Sequence, residues 1–227
     1  MRVRIWDLPL RLFHWLLVAA VVAAFVAAKI GGNAMVWHGR AGLLIIGLLV
    51  FRLVWGFAGS THARFASFVR GPAAIRAYLK GEWFGAGHNP IGALSVLAML
   101  GLLATQAATG LFANDDVAFE GYLYPLVSAA ASERITGVHK LLEPVLILLV
   151  LLHLGAIAFY TRIKKESLVL PMITGWKEVP TATPASRGGG LFAFILATLI
   201  AAGVAYAAAG QLLPPPPPAA AVDTPAF

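Results

Sequence analysis

The chain has 227 residues, of which 59% are hydrophobic and 12% charged, with a net charge of +7 and a mean hydropathy of +0.81. A soluble domain of this size carries roughly twice that share of charge, and the apolar residues gather in runs of about 20, the length that crosses a bilayer as a helix. The basic residues lie in short segments beside those runs, which argues for membrane topology and against nucleic acid as a partner; the absence of cysteine excludes disulfides, cysteine-held iron–sulfur clusters and any metal group attached through a thiol, leaving His, Met, carboxylate or Tyr as ligands.

Five spans are expected in chain order: residues 8–28, 37–57, 91–112, 138–160 and 191–209. The first 30 residues also have the outline of a signal peptide, but the apolar stretch is longer than such a segment needs and holds His14 and Trp15. Gly31, Gly32 and Asn33 make a short turn into the second span. The polar segment 58–89 follows, with an amphipathic stretch, "SFVRGPAAIRAYLKG", suited to the membrane surface. Basic residues mark one side of the membrane. Arg2, Arg4 and Arg11 lie at the start, Arg64, Arg70, Arg76 and Lys80 after span two, and Arg162, Lys164, Lys165, Lys177 and Arg187 after span four. The segment between spans three and four is acidic, with Asp115, Asp116, Glu120 and Glu133 against Arg134. The positive-inside rule puts the N terminus in the cytoplasm and the acidic loop outside, as in a multi-pass protein of a bacterial inner membrane. The last residues, "LLPPPPPAAAVDTPAF", are low complexity: residues 214–218 suit a polyproline II rod, either a docking arm or a disordered end.

Four of the six histidines fall within the spans. An ionisable group there is costly and needs a reason. His14 lies roughly 9 Å below the cytoplasmic edge of span one, and His153 roughly 10 Å from the same edge of span four, at 1.5 Å per residue. His38 opens span two and His139 opens span four, both at the outer edge. His139 and His153 are 14 residues apart. That spacing falls about 40° short of four full turns, so both point to nearly one face, roughly 21 Å apart along the axis. One helix can therefore give one axial ligand to each of two stacked hemes, with spans one and two giving the opposite ligands. Two facing imidazoles leave iron no open position and favour electron transfer. Zinc would need four ligands, and each pair supplies two.

Pro144 stands between His139 and His153, where it removes a helix hydrogen bond; it either aims His139 or is an ordinary transmembrane proline. Heme propionates need cations. Arg52, level with His14 and His153, either meets the inner heme's propionates or snorkels to the interface. Arg11 is a second candidate, and Arg40 and Lys140 adjoin the outer ligands; Glu143 is placed to pair with Lys140. His62 and His88 fall outside the ligand pattern.

The chain resembles the bacterial cytochrome b561 and nickel–iron hydrogenase-type cytochrome b family of di-heme membrane subunits. The stretches that carry the resemblance are "RIWDLPLRLFHWLL", "VWHGRAGLLIIGLLVFRLVWGFAGSTHARFASFVRGP", "GHNPIGALSVLAML", "TGLFANDD", "ITGVHKLLEPVLILLVLLHLGAIAFY" and "LVLPMITG". It implies an all-α integral membrane fold, a four-helix di-heme bundle over residues 1–178. A linker and fifth transmembrane helix follow at 179–213, and a Pro/Ala-rich tail at 214–227. It implies two non-covalent b hemes, one on His14 and His153 and one on His38 and His139. It further implies exchange with quinone near the inner heme, where Asn89, next to His88, matches the family's quinone residue. Asn89 also suits a helix N-cap before Pro90.

The resulting expectation is an electron relay between quinone and a periplasmic redox protein such as a c-type cytochrome or a dehydrogenase or hydrogenase subunit. The acidic outer loop suits a basic partner. The bilayer and a second copy of the chain are the other expected partners. The rival readings are a self-contained superoxide:quinone oxidoreductase and, in another class, a heme-free transporter relaying protons through histidine.

Overall fold

The computed structural model describes residues 1–83, 85, 87–117, 119–179 and 185–214. A short strand β1 (Arg2–Arg4) leads into α1 (Leu8–Ile30), followed by α2 (Met35–Ala58), the short helices α3 (Phe65–Phe68) and α4 (Pro72–Leu79), and α5 (Pro90–Gly110). Then come α6 (Ala129–Arg162), α7 (Val169–Thr174), a strand β2 (Trp176–Glu178) and α8 (Gly190–Ala208). Among the described residues, α1, α2, α5, α6 and α8 are long and apolar enough to cross a membrane, as the hydropathy pattern requires. The protein is an all-α integral membrane protein. The amphipathic stretch is divided between α3 and α4, broken where Pro72 begins the second helix. Most of the polyproline run and the residues after it lie outside the described residues.

Local chemistry sets the helix starts. Asp7 caps α1, accepting from the backbone nitrogen of Leu10 at 2.7 Å, and Asn89 caps α5, accepting from that of Gly92 at 2.7 Å. The fourth span departs from expectation at its outer end. Its helix begins at Ala129, capped by Ser128, well before residue 138. The residues before 138 carry polar side chains that lower the hydropathy there. Two of them are buried and bonded: Ser132 Oγ donates to the Phe112 carbonyl (2.7 Å), and Thr136 Oγ1 accepts from the Asn114 nitrogen (3.0 Å). The helix runs on through Pro144.

The core lies between α1, α2 and α8. On α2, Ala41, Ile45, Leu49, Arg52 and Trp55 are buried at three- and four-residue steps, one face of a helix. On α8, Ala197 and Ala201 are buried, and Gly47 of α2 lies against Ala205, whose Cβ is 3.5 Å from where a Cβ at Gly47 would stand. Small residues let two helix backbones approach in lipid, where hydrophobicity alone gives no drive to associate. The fifth helix therefore packs on α2. By contrast α6 packs closely on α5 and turns large aliphatic side chains outward, such as Leu148, Leu151 and Leu152.

The basic segments share one end of the bundle. β1 pairs antiparallel with β2, Arg2 opposite Glu178 and Arg4 opposite Trp176, and Ser60 bridges Gly188. The chain start, the segment after α2 and the segment after α6 are thus tied together. This end is called inner and the opposite end outer.

Candidate cofactor sites

At the outer end His38 of α2 faces His139 of α6. Their ring centres are 6.1 Å apart and the planes 84° to each other. Backbone carbonyls orient both rings: His38 Nδ1 donates to Ala24 O and His139 Nδ1 to Gln106 O, each at 2.9 Å. A carbonyl can only accept, so Nδ1 carries the proton and Nε2 keeps its lone pair for a ligand. The Gln106 amide nitrogen lies 3.2 Å from His139 Nε2, and its Oε1 is buried without a partner. A metal held by that nitrogen would take the place of the amide.

Between the two rings lies a cavity of about 620 Å³ bounded by α1, α2, α5 and α6. Gly42, one turn from His38, lines it, and a Cβ there would meet nothing within 4 Å: the glycine leaves the wall open. Gly39 serves a different need, since its Cβ would come 3.0 Å from the Phe119 ring, which stands edge-on to His38 at 6.1 Å.

These residues fit a bis-imidazole heme. A metal–imidazole bond is about 2 Å and the ring nitrogen about 1 Å from the ring centre, so two ligands across one iron have centres about 6 Å apart. The observed separation matches. The volume lies in the range of cofactor sites and the walls are apolar. Among the described residues no group of three or more His, Asp or Glu side chains gathers to hold a metal ion, as zinc would require.

The inner pair is held differently. His14 and His153 lie within electrostatic reach of each other. His14 Nδ1 is buried without a partner, and the ring meets Trp15 edge-on at 5.0 Å. Trp15 is itself fixed by its indole nitrogen, which donates to Met172 O at 3.1 Å. Arg52 is 2% exposed. It does not snorkel. Its guanidinium packs over Phe65, 4.6 Å from the ring centre, and its Nη1 has no partner. Gly56 makes this possible, because a Cβ there would sit 2.0 Å from the Phe65 ring.

The other charged candidates are placed as follows. Arg11 donates to the Ile173 carbonyl, tying α1 to α7. Arg40 lies over the Trp37 ring and Lys140 lines the outer cavity. Glu143 pairs with Lys29 of α1 at 2.6 Å rather than with Lys140, because the neighbouring helix end brings a second cation to it.

His88 and Asn89, adjacent in sequence, part company in space. His88 packs against Trp6 and Phe68, with ring centres at 4.7 and 4.6 Å. Burial, then Arg52 and His62, push its imidazole down to about 4. Asn89 instead donates from Nδ2 to the Tyr160 hydroxyl at 3.1 Å, and Tyr160 is bonded to the Tyr78 hydroxyl. Burial and the Tyr160 contact raise the Tyr78 phenol above its usual range. Sequence reasoning missed Gln106, Tyr78 and Tyr160. Gln106 had a signal, as a polar side chain inside an apolar span; the tyrosines at a membrane edge had none beyond the usual aromatic belt.

Comparison with known proteins identifies a family. The model of the prokaryotic cytochrome b561 family matches residues 5–175, ending before α8. A probable Ni/Fe-hydrogenase B-type cytochrome subunit of Azotobacter chroococcum mcd 1 is 28% identical over 217 residues, covering 77% of this chain and 88% of that protein. A protein of the same description from Azotobacter vinelandii has the same identity and coverage. No solved structure matches the chain significantly. The chain belongs to the prokaryotic cytochrome b561 family: it is a multi-pass membrane b-type cytochrome that carries electrons.

Proposed function

We propose, from that membership, that the chain holds two b hemes, one between His14 and His153 and one between His38 and His139, and passes electrons between the two ends of the bundle. The observation that carries this reading is the outer pair, with ring centres 6.1 Å apart across a 620 Å³ cavity. The inner pair follows from spacing: His139 and His153 lie on one face of α6, roughly 21 Å apart. When bound, each heme supplies a one-electron Fe(III)/Fe(II) couple. The protein's own contribution is to hold the ligands. Ala24 and Gln106 carbonyls fix the outer imidazoles, and Arg52 gives a buried cation for the inner propionates. Four protein ligands on two irons leave no open coordination site, which suits transfer over oxygen chemistry.

Quinone reacts at the inner end, where Asn89, Tyr160 and Tyr78 gather an amide and two phenols able to donate to a quinone oxygen. The similar Azotobacter proteins are described as hydrogenase subunits, which supports a dehydrogenase- or hydrogenase-type partner at the outer end. The N terminus and the basic inner end face the cytoplasm of a bacterial inner membrane. A reporter fused after Phe227 is then expected to be periplasmic, and cytoplasmic reporter activity would reverse the assignment. The main test is a pyridine hemochrome assay on purified protein. Two non-covalent b hemes per chain are expected; one heme, or none, sinks the reading.

A further inference from the structure

The inner end holds a further buried group without a partner. His88 Nδ1, like Arg52 Nη1, is buried and makes no hydrogen bond. The two groups sit against one ring: Phe68 lies 5.9 Å from the Arg52 guanidinium carbon and 4.6 Å from the His88 ring centre. Each is also closed off by a second aromatic, Phe65 over Arg52 and Trp6 against His88.

A buried donor left unpaired costs about 1–3 kcal/mol, and a buried charge more. Asp7 acts electrostatically on Arg52 but bonds neither unpaired nitrogen. Asp7 spends Oδ1 on the Leu10 nitrogen and Oδ2 on the Trp55 indole at 2.9 Å, and it forms no ion pair with Arg52. The cluster thus lacks an anion with two acceptor oxygens. Its level is set by helix geometry. Arg52 follows His38 on α2 by the same 14 residues that separate His153 from His139 on α6, so it stands at about the depth of the inner pair.

We propose that Arg52 and His88 clamp one propionate of the inner heme, and that His88 takes up a proton when that heme is reduced and releases it on oxidation. The inference rests on the two-heme reading above. Arg52 is the fixed cation and His88 a positioning residue. The electron comes from the cytochrome's own transfer activity and the proton from water at the inner end. One electron in the heme adds one negative charge beside His88, and the proton offsets part of it. The charged and titratable groups facing His88 are Arg52 on α2 and His62 in the turn after it, both of which oppose protonation; a carboxylate between Arg52 and His88 works in the opposite direction. Trp6 and Phe68 offer ring faces without charge.

The test is an optical redox titration of each heme over a pH series, on the full chain and on His88→Leu and His88→Gln. In the full chain the inner midpoint should fall as pH rises through the His88 titration. His88→Leu should keep both hemes, lower the inner midpoint and flatten its slope. His88→Gln retains a donor but cannot titrate, so it should flatten the slope with a smaller fall. A shift of the inner-heme propionate modes in resonance Raman spectra should accompany both, and the outer heme should not move. Retention of the outer heme reports that each variant is folded. An inner midpoint and slope equal to the unsubstituted chain's overturn the clamp and leave the two-heme reading standing. A change confined to the KM for quinone also overturns it. Absence of an inner heme from the full chain overturns both.

Discussion

The two ends of the bundle hold their histidines by different means. At the outer end, backbone carbonyls orient both imidazoles and a glycine-lined cavity stands between them. At the inner end His14 has no hydrogen bond at Nδ1 and meets Trp15 edge-on, while Arg52 and His88 are enclosed by Phe65, Phe68 and Trp6. A carbonyl bond fixes the tautomer and angle of a ligand before the metal arrives. Packing alone fixes position and leaves the tautomer open. On the two-heme proposal the outer ligands would be oriented before heme binds, and the inner ones would not.

The largest effects should come from the ligands, and they should be separable. His38→Ala is expected to remove the outer heme and leave the inner one, halving the heme per chain in a hemochrome assay; His14→Ala should do the reverse. A His14→Ala, His153→Ala variant that folds yet loses both hemes would break the division into two ends. Next comes the open wall. Gly42→Leu should fill space that the outer heme needs and empty that site while sparing the inner spectrum. Full occupancy of both sites in that variant would place the outer heme elsewhere.

A smaller effect is expected from Gln106→Leu. Its backbone carbonyl still orients His139, but the side-chain amide that reaches the His139 carbonyl and ring is gone. The Nδ1 bond that orients the ligand is kept, and the lost amide lies where a metal would bind. Heme titration of the apoprotein should therefore show the outer-site affinity changed by less than about 10-fold, below the roughly 10- to 100-fold that follows loss of an orienting partner. A larger loss would show that the amide's bond to the His139 carbonyl positions the ligand. The smallest effect on stability should be Asn89→Ala, which removes the α5 cap at a cost of about 1 kcal/mol. Both hemes should remain, while quinone reduction of the inner heme slows in rapid mixing. An unchanged quinone rate would leave Asn89 as a cap only.

Helix-level features were legible in the sequence because helix geometry is rigid. The fixed rise and turn per residue convert a spacing such as His139 to His153 into depth and direction. Bilayer thickness then turns apolar run length into the number of spans, and proline after a capping residue marked the start of α5. Less legible were the ends of elements. Hydropathy lost α6 between Ala129 and Thr136, since Ser132 and Thr136 read as loop until their partners on the α5–α6 connection were known.

By itself the sequence determined five membrane spans and a depth-matched set of four histidines, and its motifs carried the family. Tertiary structure decided which side chains meet across helices. It sent Glu143 to Lys29, buried Arg52 under Phe65, and set α8 against α2. It also turned His88 toward Phe68 and Asn89 toward Tyr160. The physical reason is that periodicity along one helix says nothing of its rotation against another. That rotation is fixed in part by where a residue without a side chain admits a neighbour, as Gly56 admits the Phe65 ring.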